Sequence, residues 1–130
     1  MSEPASEELP AALRAFLYSC IDSVEQVEIL VLLCRSKRAW TAASTAAHLS
    51  MTDAAARNHL ETLSARGLLH IAVGSEVSYT YAPRSAQLRE YAERLIELYT
   101  TSRTAILRFI ASNPRRLKQF SDAFKLRDPE

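Results

Sequence analysis

Apolar residues along the chain fall into stretches of two different periods. Leu9, Leu13, Phe16, Leu17 and Cys20 are spaced as one face of a helix, with Pro10 suited to its first turn and the pattern stopping near Ile21. "DSVEQVEILVLLC" predicts a second helix, in which Ser23 followed by Gln26 reads as a capping box. Val27, Leu30, Val31 and Cys34 line one side, and Ile29, Leu32 and Leu33 fill much of the rest. A helix apolar nearly all round belongs at the centre of a core. The basic loop "RSKR" interrupts it.

"AWTAASTAAHLS" predicts a short extended piece at Trp40, then a helix capped by Thr41 and lined by small residues. Ser50 and Met51 make a turn. Thr52 caps the next helix, with Asp53 in its first turn, a buried stripe of Ala56, Leu60 and Leu63, and Gly67 at its C-terminal stop. The period then changes to two. Leu69, Ile71 and Val73 alternate, as do Val77, Tyr79 and Tyr81, around Gly74, Ser75 and Glu76, which predicts a β-hairpin closed by Pro83.

Helical spacing returns from Ser85 to Ala111. Leu88, Leu95, Ser102 and Phe109 recur every seventh position, accompanied by Tyr91, Leu98, Ala105 and Ile106. One helix of about 26 residues would span roughly 39 Å, more than a small domain needs for its own packing. A partner is therefore expected along Leu88, Tyr91, Leu95, Leu98, Ser102, Ile106 and Phe109. Asn113 and Pro114 begin a last short helix with Leu117, Phe120, Ala123 and Phe124 on its apolar face. Arg115, Arg116, Lys118, Lys125 and Arg127 make it the most basic segment.

Composition narrows the picture. The chain has 130 residues, suited to one domain, and its two glycines favour a mainly helical protein with few tight turns. Residues 1–6 read as a disordered start, 7–84 as the main domain, 85–111 as the long helix and 112–130 as a basic amphipathic tail. A formal net charge of +1 gives no overall pull towards nucleic acid, so any basic footprint is local. Cys20 and Cys34 sit in apolar helical stretches and read as free thiols of a reducing compartment. The acidic "MSEPASEELP" is unlike a signal peptide, and the longest apolar run, Ile29 to Cys34, is too short to cross a membrane. A cytoplasmic protein is expected.

The succession of helix, helix, short strand, helix, turn, helix, hairpin and long helix resembles the winged helix-turn-helix regulators, particularly the small MarR-like and ArsR-like bacterial ones. "EILVLLCRS", "WTAASTAAHLSMTDAAARNHLETLSARGLL" and the hairpin ending "YTYAP" carry the resemblance over roughly residues 23–83. It implies a mainly α fold with a small β-hairpin wing, a dimer built on the long helix, and double-stranded DNA as partner. Residues 52–66 would enter a major groove. Arg57 pairs well with guanine and Asn58 with adenine, whereas Ala54 and Ala55 permit close approach and Thr62 completes the face. Ser44, Thr52 and Arg66 would contact phosphates, joined by Lys37, Arg38 and Arg84.

Other features point elsewhere. Asp53 and Glu61 on the expected reading face repel phosphate, and the wing tip carries Glu76 and no cation. These favour an alternative: a winged-helix module that binds another protein through the long helix and the basic C-terminal segment. His48, His59 and His70 are spaced by eleven residues, which is no ligand pattern, so no metal or other cofactor is expected. No phosphate loop, nucleophile elbow or carboxylate pair suggests catalysis. Trp40, Tyr79 and Tyr81 are expected to pack the hairpin against the helices.

Overall fold

The computed structural model describes residues 10–112. The features expected in residues 1–9 and from Asn113 onward, including the basic cluster at Arg115 and Arg116, lie outside the described residues. The elements are α1 (Ala11–Cys20), α2 (Val24–Ser36), α3 (Ala42–Leu49), α4 (Asp53–Ala65), β1 (Leu69–Val73), β2 (Val77–Tyr81), α5 (Ala86–Thr101) and α6 (Arg103–Ala111).

The apolar second helix is indeed central. α2 packs against α3, α4, α5 and β2, and its Val27, Ile29, Leu30 and Leu33 are fully buried. Each such side chain contributes about 1.5–3 kcal/mol by leaving water. Its start differs from expectation. Ser23 occupies the N-cap, yet its side chain makes no cap bond and its Oγ is buried without a partner. Gln26 reaches one residue further back, where its Oε1 accepts from the Asp22 backbone N–H at 2.8 Å. The reciprocal box is thus replaced by a one-sided tie.

Sharp turns set the angle between α3 and α4. Thr41 and Ser44 form a full capping box at the start of α3. Ser50 ends it in the left-handed region (φ 59°), and the Met51 N–H returns to the Ala46 carbonyl at 3.0 Å. Thr52 Oγ1 then accepts from the Ala55 N–H at 3.1 Å and starts α4. Gly67 follows α4 with φ 88°, a conformation that costs any residue with a Cβ about 1–2 kcal/mol.

β1 and β2 pair antiparallel, with Leu69 opposite Tyr81, Ile71 opposite Tyr79 and Val73 opposite Val77. Trp40 adds a third-strand bridge to Tyr79, with backbone bonds of 2.9 and 2.7 Å. Together, a helix-turn-helix at α3–α4 and a hairpin held beside it make a winged helix. The alternating apolar face is only partly covered. Leu69 and Tyr79 are buried, whereas Ile71 (39% exposed), Val73 (79%) and Val77 (41%) stand in solvent. Helices back the base of the hairpin, through α4 on β1 and α2 on β2.

The long helix expected from Ser85 to Ala111 is broken. α5 stops at Thr101, Ser102 takes φ −135° and ψ 51°, and α6 restarts at Arg103. The break brings Ile106 and Ile110 into the same core as Leu95. Arg103 meets Glu28 of α2 at 3.9 Å and lies 5.0 Å over the Tyr99 ring. Arg35 donates to Thr100 Oγ1 at 2.7 Å, so α2 is tied to the corner from two sides. Of the residues expected to face a partner, Leu95 and Ile106 are enclosed within the chain's own core (0% exposed). Leu88, Tyr91, Leu98, Ser102 and Phe109 are half-buried.

Candidate nucleic-acid interface

α4 has a rigid back and an open front. Ala56, Leu60 and Leu63 are fully buried, and α3 crosses the helix closely. Asp53, Ala54, Arg57, Asn58 and Glu61 are exposed, and Ala55 and Thr62 are half-exposed. Spacing of 3.6 residues per turn accounts for the division. Among the described residues, Arg57 and Asn58 have no hydrogen bond or ion pair to another side chain. Their polar groups are therefore available to a partner.

Charge on this face is mixed. Burial pushes the Tyr79 hydroxyl above its usual range, the Glu61 carboxylate adds to the rise, and the Arg57 guanidinium opposes it. Charges of both signs on α4 are thus felt at Tyr79 of β2. Lys37 and Arg38 are exposed just before α3, and Arg84 is exposed after the wing. The Arg38 guanidinium lies 3.8 Å over the Trp40 ring, which fixes its direction.

Several expected contact residues have internal work. Arg66 Nη1 donates to the Cys20 carbonyl at 2.8 Å and Nη2 to Asp22 Oδ2 at 3.2 Å. That side chain ties the end of α4 to the loop after α1, away from the exposed front. The Ser44 hydroxyl accepts from the Thr41 N–H at 3.0 Å as part of the α3 cap. The Thr52 hydroxyl is exposed at the start of α4 and keeps its free proton while capping.

The aromatic residues pack the hairpin on the body. Trp40 is buried, its Nε1–H donates to Ser36 Oγ at 2.7 Å, and His48 meets its ring edge-on at 5.4 Å between centroids. His59 faces the opposite way, towards Gln26. The exposed apolar wing departs from the alternation, because an alternating strand shows which residues share a face and leaves open how far the neighbouring helices extend.

No protein-family model matches the chain, and no curated protein matches it. Among solved structures, the chain is similar to the adhesin competence repressor AdcR from Streptococcus pyogenes. The likeness covers 78% of each chain at 18% sequence identity, with a TM-score of 0.44.

Proposed function

We propose that the protein is a transcriptional regulator that binds duplex DNA, with α4 lying in the major groove. The supporting observation is the unpartnered Arg57–Asn58 edge on a helix whose back is locked into the core. A side chain reads bases well when its backbone cannot shift and its polar atoms have no competing partner. Arg57 would bond guanine O6 and N7, and Asn58 would bond adenine N6 and N7. Ala54 and Ala55 let the helix sink between the phosphate rails, with Thr62 at the margin. Lys37, Arg38, Arg84 and the Thr52 hydroxyl supply phosphate contacts. A homodimer would present two such helices to half-sites about one helical turn apart. Half-buried Leu88, Tyr91, Leu98, Ser102 and Phe109 are the residues of the expected stripe still open to a second copy.

Binding of random genomic fragments at low salt tests the reading. Wild type should shift them, and Arg57→Ala should lose about 1–3 kcal/mol of discrimination at one base position. No shift at high protein concentration overturns the proposal.

One observation favours a second reading. The wing offers Ile71, Val73 and Val77 to solvent beside Glu76, where a DNA-gripping wing would offer cations. A protein-binding winged helix would use that surface. In that case Val73→Lys would abolish partner capture, and DNA would never be retained.

A further inference from the structure

A chain of polar contacts runs from the loop after α1 into the back of the reading helix. The Asp22 N–H donates to Gln26 Oε1 at 2.8 Å. Gln26, only 2% exposed, brings its Nε2 to within 3.2 Å of His59 Nδ1 on α4. The backbone N–H can only donate, so it fixes which end of the Gln26 amide faces it. The other end, an NH2 group, must then donate to His59. His59 Nδ1 can accept only while it carries no proton, which sets the neutral ring to its Nε2–H form. A protonated ring would point N–H at NH2, and the contact would fail.

We propose that Asp22, Gln26 and His59 form a proton-sensitive tie that steadies α4 on α2 and is lost when His59 is protonated, while the buried back of α4 stays in the core. Gln26 is its positioning residue. It joins α2 to α4 without touching any partner of the exposed face. β1 packs on α4 as well, and its one titratable residue, His70, is exposed. From the loop, Asp22 faces the tie with its carboxylate on Arg66. From α2, the neighbouring Glu25 is exposed. On α4, the positions one turn either side of His59 are Ala55, Ala56, Thr62 and Leu63, none of them charged. The titratable group of α3, His48, packs on Trp40. His59 is half-exposed, so its ring meets solvent in the folded state.

Nitrogen-detected magnetic resonance of the full chain tests the tie without DNA. At neutral pH, His59 should be the Nε2–H tautomer with Nδ1 accepting. On acidification, the Gln26 side-chain amide and the Asp22 amide should move with the same midpoint as the His59 ring. Gln26→Glu should reverse the dependence, because a carboxylate accepts from a protonated Nδ1. An Nδ1–H tautomer, or Gln26 signals indifferent to the His59 transition, overturns the proposal.

The consequence for recognition rests on the DNA reading above and has its own arm. Between neutral pH and the acid side of the His59 transition, wild type should lose about fivefold in fragment affinity relative to Gln26→Glu, the weight of one hydrogen bond. Equal responses of the two proteins overturn the effect on the reading helix. Absence of DNA binding at both pH values overturns the DNA reading and leaves the resonance result to decide the tie.

Discussion

Single side chains of the same type take opposite roles according to what lies behind them. Arg57 lies on α4 and Arg66 caps its end, yet the first is free in solvent and the second clamps Cys20 and Asp22. Arg66→Ala should therefore lower stability by about 1–3 kcal/mol in urea denaturation, with sequence preference on DNA unchanged. Loss of affinity at unchanged stability would place Arg66 on the nucleic acid. Tyr81 gives a pH test. Burial, then the nearby Cys34 thiol and Glu93 carboxylate, push its hydroxyl up to about 12 from an ordinary 10.0. Burial also raises Tyr79 and Tyr99, the latter with Glu28 beside it. The folded state holds these protons longer than the unfolded chain. The contribution of Tyr81 is thus complete below pH 10 and is lost as pH rises from there towards about 12, and Tyr79 and Tyr99 act in the same direction. Tyr81→Phe should flatten that alkaline loss in denaturation curves recorded against pH. An unchanged curve would show that Tyr81 does not drive it.

At the scale of elements, the break at Ser102 decides what the last helices can do. A sevenfold apolar repeat describes a stripe on a straight helix and says nothing about whether the helix stays straight. Here the corner at Ser102, with Arg103 on Glu28 and Arg35 on Thr100, turns the second half of the stripe onto the protomer. Ile106→Ala should cost about 2–5 kcal/mol, since a fully buried side chain leaves a cavity. That cost should be the same at any protein concentration. Were it to grow on dilution, Ile106 would belong to a seam between copies. The hairpin shows the reverse case. Its base is packed and its tip is not, so Val73→Thr should leave the melting temperature within the small range of ordinary surface changes.

For the whole molecule, charge limits the affinity available to each protomer. Net charge is +1, and the exposed cations flanking the reading helix are Lys37, Arg38, Arg57 and Arg84. Binding measured across a salt series should have a logarithmic slope of about −3 to −4 per protomer. A much steeper slope would assign further phosphate contacts to other cationic surfaces. Sedimentation across a range of concentrations tests the proposed dimer: a monomer at all of them would confine recognition to a single half-site.

The order of elements, the central α2, the caps at Thr41 and Thr52, the stop at Gly67 and the exposed face of α4 follow from local rules. Periodicity, capping chemistry and backbone freedom act over a few residues, and the sequence displays them directly. Only tertiary structure decided the bend at Ser102, the enclosure of Leu95 and Ile106, the clamp on Arg66, the diversion of Gln26 to His59 and the bare wing tip. Each depends on which distant surface arrives opposite a side chain. Gln26 and His59 lie 33 residues apart, and no local period connects them.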